Sequence, residues 1–140
     1  TKIDTIDRVF ALNTDIKLIM HNGVEIGNNS VLKEQYRMKH GVFRNLIKSC
    51  YYGHRMAFRK ELIEEILPFP PNCVSYDQYI GIICEVEKCG MFIEDKLTKH
   101  LIHGENWSQP LGLFSKIRFR MSMWKHLNFY LSNRKNSIEK

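Results

Sequence analysis

GHRMAFRKELIEEILPFP, residues 53–70, sets a glycine in front of an amphipathic segment and halts that segment with proline. Leu62, Ile63, Ile66 and Leu67 recur at helical spacing, which predicts a helix from Arg59 to Leu67. Pro68 and Pro70 end it, because proline has no backbone N–H to donate and restricts the residue before it. Just upstream, SCYYGHRMAF (49–58) reads as a strand in which Gly53 lets the backbone turn or come close to another group. Strand, turn and helix in succession make the joint of an α/β layered domain. Ligands in such domains collect where strands end and loops leave for the next helix. His54 and Arg55 therefore read as cationic side chains on a strand-end loop, suited to an anionic or polyhydroxylated ligand. The plainer alternative is an ordinary strand–turn–helix joint.

Working outward, Ile3, Ile6, Val9 and Phe10 predict an amphipathic first helix. DIKLIMHNGVEIG (15–27) has the apolar, β-branched character of a strand ended by Gly27-Asn28-Asn29. SVLKEQYRM (30–38) reads as a short strand or an irregular excursion, and Val42 to Ser49 as a short helix. Tyr79, Ile82, Ile83 and Val86 predict another helix, with Gly90 as its stop. MFIEDKLTKHLIH (91–103) is strand-like, and Leu113 to Leu131 is helical by pattern. The expected organisation is an α/β domain over residues 1–111 followed by a basic amphipathic helix and tail over 112–140.

The net charge is +6, and it is concentrated. From Gly112 onward seven Lys and Arg stand against Glu139 alone, whereas the residues before it hold fourteen of each sign. A neutral body with a basic tail suits an anionic partner, a membrane surface or nucleic acid, or else is a solvated helix face. Leu113, Ile117, Met121, Trp124 and Leu131 share one side of the tail helix, with Phe119, Phe129 and Tyr130 elsewhere on the wheel. One side is thus expected to pack on the domain while another meets a membrane interface or a second copy. No apolar run reaches the ~20 residues of a membrane-spanning helix. The four cysteines, Cys50, Cys73, Cys84 and Cys89, lack a disulfide framework and read as reduced thiols of a cytoplasmic protein. Cys84, Cys89, His100 and His103 loosely resemble a zinc ligand set. Cys84 and Cys89, however, fall on a predicted helix, where five residues turn their side chains roughly 140° apart, so no metal site is assigned.

Taken in order, several short motifs resemble the C-terminal half of bacterial family 2 glycosyltransferases, the rhamnosyltransferase-like branch in particular. They are Gly53 with Met56-Ala57-Phe58, then Leu67-Pro68-Phe69-Pro70, then Asp77 opening a helix in YDQYIGI, then Gly90 and Phe92-Ile93-Glu94, and finally HLIHGEN with His103, Gly104 and Asn106. Their order and spacing carry the likeness over about Asp15 to Asn106. Tyr76 stands where that family usually has His, Gln78 where it has Trp, and Leu101 where Arg is common.

The resemblance implies a partial GT-A-like mixed sheet with flanking helices and inverting transfer of a sugar from a nucleotide-diphospho-sugar. It also implies a saccharide or lipid-linked acceptor and a role in polysaccharide assembly at the inner face of a membrane. It makes Asp77 the base that deprotonates the acceptor hydroxyl; the other reading of Asp77 is a helix N-cap. It places His103 and Gly104 near the diphosphate, with Asn106 and Trp107 in the same pocket. Gly53, His54 and Arg55 become substrate contacts. A divalent metal, Mg or Mn, belongs to the complete enzyme and its Asp-x-Asp motif. This chain has no such motif: Asp4 and Asp7 have the wrong spacing and fall on a predicted helix. The chain is therefore expected to be an acceptor-side half, inactive alone and prone to self-association. The rival reading is a non-enzymatic module whose basic helix holds anionic lipid or nucleic acid.

Overall fold

The computed structural model describes residues 1–28, 30–103 and 112–138, the last four as helical backbone only. Helix α1 (Lys2–Leu12) starts with a capping box, in which Thr1 and Asp4 each bond the other's backbone or side chain. Strand β1 (Leu18–Gly27) follows, then β2 (Ser30–Lys33) and the short helix α2 (Val42–Ile47). After them come a 3-10 turn (Gly53–Arg55), β3 (Met56–Phe58) and α3 (Lys60–Ile66). The chain then forms α4 (Tyr76–Glu87), β4 (Gly90–Leu101) and α5 (Leu113–Ile138).

The fold is α/β with a mixed four-stranded sheet and flanking helices. β4 runs parallel to β1 along nearly its whole length, from Leu18 opposite Gly90 to Ile26 opposite Leu101. The other edge of β1 is shared: antiparallel β3 takes Leu18–Met20, and antiparallel β2 takes Glu25–Gly27. Alternation along β1 sends Leu18 and Met20 into the main core. There they meet Leu62 and Ile66 of α3, Tyr79, Ile82 and Ile83 of α4, and Met123, Leu127 and Tyr130 of α5. Each such side chain contributes roughly 1.5–3 kcal/mol through removal of apolar surface from water. On α5 the side facing this core is buried, and Leu113, Ile117, Met121, Trp124 and Leu131 on another side are exposed.

Three expectations change. The strand predicted over 49–58 is reduced to Met56–Phe58. Its first part is diverted, because Asn45 Oδ1 accepts the Cys50 N–H at 3.1 Å and Tyr52 C=O accepts the Arg55 N–H at 2.9 Å. Side-chain bonds of this kind compete with a strand ladder. Gly53 thus precedes a strand rather than ending one. α3 buries only Leu62 and Ile66, leaving Ile63 and Leu67 exposed, since a seven-residue helix turns one narrow stripe inward. The stop of α4 is Lys88, in the left-handed region at φ 55°, and Gly90 instead opens β4.

Candidate functional site

Asp77 is the second residue of α4, one beyond Tyr76, and the N-cap position belongs to Ser75. The capping alternative is therefore corrected in detail. Ser75 makes no side-chain cap bond; its hydroxyl donates to Asp77 Oδ1 instead. Oδ1 also accepts the Gln78 N–H at 2.8 Å, and Oδ2 accepts the Gly53 N–H at 3.1 Å. The carboxylate thus ties the start of α4 to the 3-10 turn across 24 residues. A carboxylate offers about four acceptor positions, so one on Oδ2 stays open among the described residues. The helix dipole at this end favours negative charge. A Cβ on Gly53 would lie 2.6 Å from Tyr76 Oη, the tip of an exposed side chain that can swing aside.

The neighbouring cations are not where the sequence put them. Arg55 is fully buried, its guanidinium carbon 3.6 Å from the centre of the Tyr36 ring and 4.6 Å from that of Tyr52. Nη2 donates to Cys50 C=O at 3.2 Å, while Nε and Nη1 have no hydrogen-bond partner among the described residues. Burial lowers its pKa from the ordinary arginine value, opposed by Tyr36 and Tyr52. Arg55 is thus a charge enclosed between two rings rather than a surface contact. His54 turns toward β4 and stacks on His100 with ring centres 4.4 Å apart. Desolvation, then the charges of His100 and Arg55, bring its pKa down to about 4, so it is neutral at pH 7. His21, buried on β1, is also shifted down, mainly by desolvation. Its Nδ1 lies 2.9 Å from Asn22 C=O, and both its ring nitrogens lie within 3.4 Å of Thr98 Oγ1. Of the predicted residues, Gly53 and Asp77 meet directly.

His103 lies just past the carboxyl end of β4, beside the end of β1, where Ile102 N–H donates to Ile26 C=O at 2.7 Å. Gly104, Asn106 and Trp107 fall outside the described residues. Cys84 and Cys89 sit at the amino end of β4, and His100 and His103 at or beyond its carboxyl end. Ten residues of strand put roughly 30 Å between the pairs. Among the described residues no group of three or more His, Cys, Asp and Glu gathers to hold a metal ion, so they offer no ligand set for the Mg or Mn that the resemblance implies. All four cysteines are free, and burial raises the pKa of Cys50 and Cys73.

A cavity of about 980 Å³ contains none of the predicted site residues. It lies between α3 and the second half of α5; Lys17 pairs with Glu65 and Arg134 with Glu87, and Asp15 and Glu64 also line it, with no ion pair among the described residues. Sequence reasoning missed Ser75, Tyr36 and Tyr52, and weighed His100 only as a zinc ligand. Tyr52 adjoins Gly53 and Ser75 precedes Asp77 by two, so both carried a positional signal; Tyr36 and His100 arrive from distant segments.

No protein-family model, curated protein or solved structure matches the chain. Among the described residues no helix is long and apolar enough to cross a membrane.

Proposed function

We propose that this chain is the acceptor-side half of an inverting glycosyltransferase that uses a nucleotide-diphospho-sugar, with Asp77 as the base. One observation carries the reading: the Asp77 carboxylate is held by three donors at the start of α4, with one acceptor position on Oδ2 open. The order of motifs from Gly53 to Asn106 and the mixed α/β sheet support it. In the reaction the acceptor O–H donates to Oδ2 and passes its proton to Asp77 as the oxygen bonds the anomeric carbon. The bond from that carbon to the diphosphate breaks, its electron pair leaves on the nucleoside diphosphate, and the configuration inverts. The finer fold on this reading is a partial GT-A sheet over residues 1–111. Donor and divalent-metal binding belong to the other half, and the enzyme works at the cytoplasmic face of the membrane.

The complete enzyme, supplied with a panel of nucleotide-diphospho-sugars and saccharide or lipid-linked acceptors, is expected to form a glycoside of inverted configuration. Retention of configuration, or no transfer from any donor, would overturn the reading.

A second reading is favoured by α5. Between Leu113 and Arg134 it carries five Lys and Arg and no acidic residue, and Trp124, Met121 and Ile117 are exposed beside them. An apolar stripe flanked by cations fits a helix lying on an anionic bilayer. Flotation with anionic vesicles should then weaken with salt. Equal flotation with neutral vesicles, or none, removes the membrane role, and tight salt-sensitive binding of DNA or RNA turns the module toward nucleic acid.

A further inference from the structure

A second concentration of charge includes no residue of the C-terminal helix. Lys33, Arg37, Lys39, Arg44 and Lys48 converge on a cavity of about 240 Å³ between the end of β2 and α2. No carboxylate lines it, and among the described residues none of the five cations forms an ion pair. Tyr36 and Tyr52 form part of its wall, and the buried guanidinium of Arg55 stands against both rings. Two nitrogens of that guanidinium lack hydrogen-bond partners among the described residues, and the Glu25 carboxylate, which accepts from the Tyr36 hydroxyl, offsets part of its charge, so the positive potential of the cavity comes from its rim.

We infer that this cavity is a binding site for a phosphate-bearing ligand, one mono- or diphosphate group seated among the five cations. Size points to the group rather than to a whole nucleotide, since about 240 Å³ falls below the roughly 300–1,000 Å³ of pockets that enclose drug-sized ligands. Arg37 and Arg44 offer planar forks that match phosphate oxygens two at a time. Ser49 and Tyr52 add hydroxyls to the lining. Like charges on an open surface swing apart into water; these share one recess, and repulsion from Arg37 and then Arg44 holds the Lys39 pKa below the ordinary lysine value. An anion would relieve that crowding.

The phosphate has two possible sources, a soluble compound or a lipid headgroup. The second is supported by α2, which presents Phe43 and Ile47 to solvent next to Arg44 and Lys48. The Phe43 ring also meets Trp124 of α5 at 6.4 Å. The inference goes beyond the sugar-transfer reading and does not rest on it.

Calorimetry with inorganic pyrophosphate forms one arm of the test. Flotation with phosphatidylcholine vesicles, with and without phosphatidic acid, forms the other, and both use the whole chain. The comparison variant is Lys39→Gln/Arg44→Gln, whose altered side chains make no structural hydrogen bond or ion pair among the described residues. Pyrophosphate binding that raises the melting temperature, and that falls about tenfold for each cation removed, supports a soluble phosphate. Flotation that needs phosphatidic acid and is lost in the variant supports a lipid phosphate. In either case the ligand-free variant should melt no lower than the wild type, because a repulsion has been removed. The inference is overturned by no response in both arms, by responses the variant keeps unchanged, or by RNA binding without either response.

Discussion

Gly81 and Tyr51 share one space: a Cβ on Gly81 would lie 2.1 Å from Tyr51 Cγ. The Tyr51 ring is buried, and its hydroxyl donates to Glu85 on the next turn of the same helix. Helix α4 therefore docks flat on an aromatic ring only because it lacks a side chain at this position.

Gly81→Ala should destabilise the chain by about 3 kcal/mol, the upper range for overpacking a core. That outweighs the gain of about 1 kcal/mol expected from replacing a helical glycine with alanine. Gly53→Ala is the control. Its Cβ meets the tip of Tyr76, a side chain that is 60% exposed and free to move. Thermal melts should show a fall of about 10 °C for the first and little change for the second. A Gly81→Ala melt at or above the wild-type temperature would refute the packing.

Acid should weaken the fold before its carboxylates protonate. The His54 pKa is lowered to about 4, and those of His21 and His126 are also lowered, chiefly by desolvation. An unfolded histidine takes up its proton near pH 6.5. Below that value the unfolded chain binds more protons than the folded one, so stability falls as pH drops from about 6.5 toward 4. Melting temperature measured between pH 7 and 5 should decline, and His54→Asn should flatten part of the decline. A constant melting temperature over that range contradicts the burial of His21 and His126 and the crowding of His54 against His100.

The elements were largely legible because they rest on local periodicity. The apolar run before Gly27 and Tyr79 to Val86 bury the face that their spacing announces, whereas in α1 the helix was legible but its burial was not: Ile6 is buried, Val9 and Phe10 are half-buried, and Ile3 is 68% exposed. Arg55 was not legible. Gly53-His54-Arg55 reads as polar loop, and its burial depends on Tyr36 and Tyr52 closing on it from separate segments. The phosphate cavity was hidden by averaging. Residues before Gly112 are neutral overall, yet 33–48 hold five Lys and Arg against Glu34 alone. Asp77 lay between: its place at a helix start was readable, but its bond to Gly53 is a property of the fold.

The sheet predicts self-association. Among the described residues β4 pairs only with β1, so its outer edge has no strand partner. The exposed charges of Glu94, Asp95 and Lys96, at a register shift, guard the middle of that edge, which leaves Gly90–Ile93 as the pairing segment. Sedimentation equilibrium should show a concentration-dependent dimer in the micromolar range. A clean monomer at high micromolar concentration would count against it.

Asp77 supports two roles that variants can separate. In Asp77→Asn the amide oxygen can keep its bonds with Ser75 and Gln78. The new NH2 then faces the Gly53 N–H, donor against donor, and the bond to the turn is lost. Leaving that N–H unpaired should cost about 1–2 kcal/mol, or about 3–7 °C in melting temperature. Ser75→Ala removes one donor and leaves the carboxylate able to take a proton, so it should cost about 1 kcal/mol with transfer by the complete enzyme changed only severalfold. If Asp77 is the base, Asp77→Asn should lower turnover by roughly 10²–10⁴-fold, at temperatures where it is fully folded and with donor affinity intact. A purely structural Asp77 predicts that the two variants lose stability together and keep turnover together. Near-normal turnover of folded Asp77→Asn would end the catalytic assignment, leaving the carboxylate as the clasp between α4 and the Gly53 turn.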